Sequence, residues 1–140
     1  MITNGAFESP NVHSPHLSGW TPARFLLVGG IILMVLGLSG AIGVLSSLSS
    51  AGLFNPPYWI DWVHVSVGVA AATVALAGNA SLQRAVTFLP AVLGTVLGVF
   101  GMAFSLFTRG PQSADLSDHI AHLCVGTMAS WALWRTRSPV

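Results

Sequence analysis

Along this 140-residue chain, long apolar runs alternate with short polar breaks, four of each kind if the N-terminal arm is counted as a break. The runs are Arg24 to Leu48, Trp59 to Gly78, Ala85 to Phe107 and Asp118 to Trp134. Between them stand "SSAGLFNPP", "GNASLQR" and "TRGPQSADLS", rich in the glycine, proline, serine and asparagine that interrupt regular structure. A bilayer core of roughly 30 Å needs about 20 apolar residues in helical form, and each run meets or approaches that length. Lipid offers no hydrogen-bond partner to an open backbone, so the pattern predicts four transmembrane helices over these ranges. Pro90 then falls in the first turns of the third helix, where it costs least.

The pattern also repeats. "VLGLSG" at 35–40 matches "VLGVFG" at 96–101, an offset of 61 residues from Gly37 to Gly98. His64-x-x-x-Gly68 matches His122-x-x-x-Gly126 at an offset of 58 residues. Helices one and two therefore correspond to helices three and four. Each pair crosses in the same sense, which predicts a parallel repeat about an axis along the membrane normal. The expected fold is all-α membrane, a four-helix bundle of two similar hairpins occupying residues 23–137. Gly37, Gly40 and Gly43 on the first helix, and Gly94, Gly98 and Gly101 on the third, supply small faces at helical spacing. With Gly68 and Gly126, these faces are expected to pack helices closely, within the bundle or against other membrane subunits.

Composition agrees with this reading and adds topology. The chain is 53% hydrophobic and only 6% charged, far from the quarter or so of charged residues usual in soluble domains. Its charges are five arginines, three aspartates and one glutamate, with no lysine, which excludes a nucleic-acid binder. Four spans put Arg24, Arg84, Arg135 and Arg137 on one side and Arg109 alone on the other, so both termini are expected in the cytoplasm. Trp59, Trp62, Trp131 and Trp134 lie near helix ends, as interfacial anchors do. Residues 1–22 form a polar arm without the basic start or apolar stretch of a signal peptide, expected to order only against a neighbour. His13 and His16 in that arm read as solvated. A single cysteine, Cys124, excludes an internal disulfide and reads as a small buried apolar residue rather than a reactive thiol.

Candidate chemistry is confined to one polar stripe. On the fourth helix Asp115, Asp118, His119 and His122 stand on one face, with Gly126 one turn further on. Asp61, His64 and Gly68 make a shorter version on the second helix, so that Asp61 corresponds to His119 and His64 to His122. Ionisable groups in membrane helices are costly and usually face the bundle interior, a cavity or a partner. Four readings follow. His64 and His122 lock the hairpins through interhelical hydrogen bonds to Asp61 and Asp118, with Asp115 nearby. Alternatively His64 and His122, with His119 as a further candidate, offer ring nitrogens to a tetrapyrrole metal, the glycine one turn on leaving space for the macrocycle. That class covers a singly ligated chlorophyll or bacteriochlorophyll and a bis-histidine haem b, the latter requiring His64 and His122 to face each other. A zinc-type ion on His64, His119, His122 and an aspartate is the third reading, and a proton or ligand path the fourth. There is no phosphate-binding glycine loop and no nucleophile elbow, so the chain is read as no enzyme.

Two stretches carry a resemblance: Asp61-Trp62-Val63-His64, and Ser117-Asp118-His119-Ile120-Ala121-His122-Leu123-Cys124-Val125-Gly126. With the repeated hairpin they resemble a family of small bacterial four-helix integral membrane proteins known only as a domain of unknown function. Asp61 stands where that pattern has asparagine. The resemblance covers roughly residues 24–135 and implies a fold but no activity. Its actinobacterial and cyanobacterial members imply a bacterial inner or photosynthetic membrane. The expectation is a small non-catalytic subunit of a larger membrane complex. It meets lipid and other membrane subunits through its glycine faces and arm, and it is a candidate chlorophyll-binding protein with a structural scaffold as the alternative.

Overall fold

The computed structural model describes residues 19–43, 58–108 and 114–136. These residues form four α-helices and no strand: α1 (Pro22–Ala41), α2 (Tyr58–Ala77), α3 (Ala80–Thr108) and α4 (Ala114–Arg135). Three of them, α1, α2 from Trp59 and α3, are long and apolar enough to cross a membrane. The fourth carries Asp115, Asp118, His119 and His122 in its first turns and is not apolar enough by the same measure.

Local chemistry sets the helix ends. Thr21 caps α1, its hydroxyl accepting from the Arg24 amide at 3.3 Å, and Pro22 follows where a missing N–H is harmless. The turn between α2 and α3 is two residues, Gly78 and Asn79, and the Asn79 carboxamide accepts from the Leu82 amide at 2.9 Å. Gln83 then reaches back, donating to the carbonyls of Ala75 at 3.0 Å and Gly78 at 2.9 Å, which satisfies the open end of α2.

This moves one boundary. The third helix starts at Ala80 and not at Ala85, because Asn79 is a helix cap rather than a loop residue, so Arg84 lies inside the helix. Pro90 is consequently deep in α3, not in its first turns. At about 1.5 Å per residue the 29 residues of α3 run ~43 Å, longer than a bilayer core of ~30 Å. Its polar beginning can therefore lie in the headgroup region. Helix α4 likewise starts earlier than expected, at Ala114, and the second helix keeps its expected range to within a residue at each end. The first helix ends at Ala41, while its expected extension over 44–48, the arm with His13 and His16, Arg109 and Arg137 lie outside the described residues.

The helices pair as two antiparallel hairpins, α1 along α2 and α3 along α4. What lies between the paired axes is mostly backbone. A side-chain carbon on Gly30 would stand 2.7 Å from the Gly68 carbonyl oxygen, and one on Gly68 would stand 2.6 Å from that of Gly30. In the second hairpin a carbon on Gly94 would stand 2.7 Å from the His122 carbonyl and 2.9 Å from the Gly126 amide. The contact scheme repeats with the sequence offsets: Gly37 lies on Val65 as Gly98 lies on Leu123, and Gly68 lies on Met34 as Gly126 lies on Thr95. Such close approach allows dispersion and Cα–H···O contacts to hold helices together where lipid gives no hydrophobic drive.

The two hairpins meet more sparingly, through α1 against α3 and α4 and through α2 against α3; α2 and α4 do not pack on each other. Phe25, Leu26, Ala91, Ala129 and Ala132 form the shared apolar core, flanked by Trp20, Ala71, Val74 and Leu133. That core sits at the end of the molecule holding the start of α1 and the end of α4. Most large apolar side chains point outward instead, Phe107 being 91% exposed and Leu76 76%.

The backbone contacts predict that Gly68→Leu and Gly126→Leu each lower stability in detergent by about 1–3 kcal/mol or more, because the intruding group meets main chain that cannot yield. A side-chain carbon on Gly29 would meet nothing within 4 Å, so Gly29→Leu is expected to stay within about 0.5 kcal/mol of wild type. Thermal melts followed by circular dichroism compare the three.

Candidate functional site

The polar stripe resolves into two equivalent slots and one oriented histidine. In the first hairpin Asp61 is in the first turn of α2 and only 6% exposed, and its carboxyl group lies directly on Gly40 of α1. In the second hairpin the His119 imidazole lies in the same way on Gly101 of α3. The correspondence of Asp61 with His119 thus holds in space as well as along the chain. Each group needs a glycine opposite it, because a methyl at either glycine would overlap the polar side chain.

His122 is placed differently. Its Nδ1 stands 2.8 Å from the Asp118 carbonyl oxygen four residues back, and 3.5 Å from the Asp118 carboxylate. A ring nitrogen facing a carbonyl must carry the hydrogen, so Nδ1–H donates, and in the neutral ring the lone pair is then on Nε2. The side chain is 39% exposed and Asp118 60%, which puts this pair at the surface of the hairpin. His122 and Asp118 therefore bond within one helix, not across two as the locking arrangement requires. His64 is half-buried and makes no hydrogen bond among the described residues.

The helices that carry the histidines, α2 and α4, do not approach each other. His64 and His122 consequently do not face one another within a single chain, as a bis-histidine haem would require. Among the described residues no three histidine, cysteine, aspartate or glutamate side chains converge as a metal site would need. Asp115 begins α4, and its side chain is outside the described part. The glycines one turn beyond the histidines, Gly68 and Gly126, are buried against the neighbouring helix, so the space they leave is filled by backbone and not by a macrocycle.

Other side chains fall where their chemistry suggests. The hydroxyls of Ser66, Thr73 and Thr95 donate to carbonyls four residues back, at 2.8, 2.8 and 2.7 Å. Cys124 is exposed on the outer face of α4, which corrects the expectation of a small buried residue. Trp59, Trp62, Trp131 and Trp134 are all exposed at helix ends. Gln83, which closes the α2–α3 turn, escapes a reading of the sequence; an asparagine cap followed four residues later by glutamine is its only signal.

The chain matches no family model, no curated protein and no solved structure.

The two slots make a quantitative expectation. Gly40→Ala should destabilise the first hairpin by about 1–3 kcal/mol, and most of that cost should vanish in an Asp61→Ala background, since the clash needs both partners. Gly101→Ala with His119→Ala should behave alike. Denaturation of the single and double variants measures the coupling, and additive effects would show that the contacts are not formed.

Proposed function

We propose that this chain is a small non-catalytic subunit of a larger membrane complex, spanning the bilayer four times as two hairpins in parallel repeat. Both termini are assigned to the cytoplasmic side. Support for the fourth span comes from the register of α4 against α3: the contacts run from His119 on Gly101 through Leu123 on Gly98 to Gly126 on Gly94. A helix paired this closely with a membrane-crossing neighbour travels through the same depth. Its 22 residues extend about 33 Å, enough for a bilayer core.

For the specific role, the observation that carries most weight is the orientation of His122. With Nδ1–H held by the Asp118 carbonyl, Nε2 is the nitrogen available outside, and a supporting bond of this kind is what fixes an imidazole for axial ligation. The donor set suits a metal that takes one axial ligand from the protein, as chlorophyll and bacteriochlorophyll do, better than the bis-histidine form of haem b, which takes two. The flat ring would lie against the outer face of α4 and be enclosed by lipid or a neighbouring subunit. His64 and His119 are weaker candidates, since α2 and α4 stand apart and the His119 ring rests on Gly101.

The glycine contacts favour the second reading, a colourless scaffold. In it Asp61 and His119 serve only to register each hairpin against its partner helix.

An absorption spectrum of the gently solubilised native complex, with pigment extraction from the separated chain, distinguishes the two. The ligand reading expects Soret and red bands that travel with this chain, are lost in His122→Ala and survive in Asp118→Asn, because the bond to His122 uses the main-chain carbonyl. Bands that persist in His122→Ala, or a colourless chain, leave the scaffold. A reporter fused after Val140 should be active in the cytoplasm; a periplasmic or lumenal signal would overturn the orientation drawn from the arginine count.

A further inference from the structure

The fold gathers positive charge at one end. Arg24 lies in the first turn of α1, Arg84 in the second turn of α3 and Arg135 in the last turn of α4, and all three are exposed. Their immediate neighbours pack together: Phe25 and Leu26, Val86, and Ala132 and Leu133 belong to or flank the one core shared by both hairpins. The three cations therefore surround a single junction. Among the described residues no acidic side chain lies at this end, since Asp61 is in the first turn of α2 and Asp115 and Asp118 open α4 at the opposite end.

Helix dipoles leave this charge standing: the amino ends of α1 and α3 and the carboxyl ends of α2 and α4 meet here and offset one another, so the field comes from the arginines. The Gln83 carboxamide satisfies the open carbonyls of α2 at 2.9–3.0 Å. Two of the guanidinium groups are also held in place. Arg24 Nη1 donates to the Gly19 carbonyl at 3.0 Å, and Arg135 stacks over the Trp131 ring, 5.2 Å from its centre. The Arg24 guanidinium, steadied on one side by the Gly19 carbonyl, carries its other N–H donors in a planar fork that matches the oxygens of a phosphodiester.

We propose that this end of the bundle is a binding surface for anionic phospholipid headgroups, with Arg24, Arg84 and Arg135 as the contacts. The occupant is a lipid and not a soluble anion because the cations ring a junction of helices whose outward side chains are apolar. Trp131 and Trp134 stand beside them at the interfacial level. Net charge selects the lipid class: a zwitterionic headgroup carries its own ammonium beside the phosphate, whereas phosphatidylglycerol or cardiolipin leaves the negative charge for the protein. The proposal is independent of any pigment on His122.

Native mass spectrometry of the full chain, released from detergent with added phosphatidylglycerol or phosphatidylcholine, tests it. Wild type should retain phosphatidylglycerol in preference to phosphatidylcholine. Each single Arg→Gln change at 24, 84 or 135 should lower that retention about fivefold, and the triple variant on the order of a hundredfold. Arg109→Gln, at the position that follows α3 in the sequence, should leave it unchanged. A triple Arg→Lys variant keeps the charge and the fold while removing the fork, so it should retain most of the preference for the anionic lipid. Equal retention of the two lipids by wild type, or undiminished preference in a folded triple Gln variant, overturns the proposal. So does displacement of phosphatidylglycerol by millimolar inorganic phosphate, which would mark a soluble-anion site instead.

Discussion

Everything else in this molecule depends on helix backbones approaching one another without side chains between them. In water a hairpin of two helices can be closed by burying leucines, but lipid tails are as apolar as leucine, and the gain disappears. What remains is dispersion, weak Cα–H···O contacts and polar bonds, all of which need short distances. Gly30 with Gly68 and Gly94 with Gly126 provide those distances, and the large residues are displaced to the outside, where Phe100, Phe104 and Phe107 face outward along one flank of α3. The same constraint fixes register. Once Gly68 sits on Gly30 and Gly126 on Gly94, Asp61 must arrive at Gly40 and His119 at Gly101.

The inter-hairpin contacts follow a different rule. They are made by ordinary apolar side chains, Phe25 and Leu26 against Ala129 and Ala132, and they are concentrated at the arginine end. A short, capped turn between α2 and α3 holds the hairpins together there, with Gln83 doubly bonded to the end of α2. The molecule is thus strongly joined within each hairpin and more lightly joined between them, and among the described residues the charges separate along the axis, Arg24, Arg84 and Arg135 at the joined end and Asp61 and Asp118 at the other.

Much of this was legible from the residues. The apolar runs located all four helices, the two offsets identified the repeat, and the glycines that recur with it are the ones at the helix contacts. The correspondence of Asp61 with His119 could be read from the alignment of the halves alone. Three things could not. Asn79 reads equally as a loop residue or a cap, and only its bond to the Leu82 amide decides, which is why α3 begins five residues early. The sequence does not say which helices of two similar hairpins meet; α1 takes that position, while α2 and α4 remain apart. Nor can a period of 3.6 residues say whether His122 bonds across to another helix or back to its own Asp118 carbonyl, since both partners lie on the same face.

The slots show what the repeat has kept and what it has allowed to diverge. In each hairpin a glycine on the first helix makes room for a side chain on the second, and that room admits an acid in one hairpin and an imidazole in the other. One hairpin has Asp61 and the other His119, so the slot has been held by shape while its charge has changed. Had α2 and α4 been adjacent, such an acid and base would pair and close a polar core. Because these helices stand apart, Asp61 and His64 face one environment and His119 and His122 another. A ligand bridging both sets would have to be shared with a second chain, whereas a ligand taken by one set needs only His122, whose outer nitrogen is already directed by its own helix.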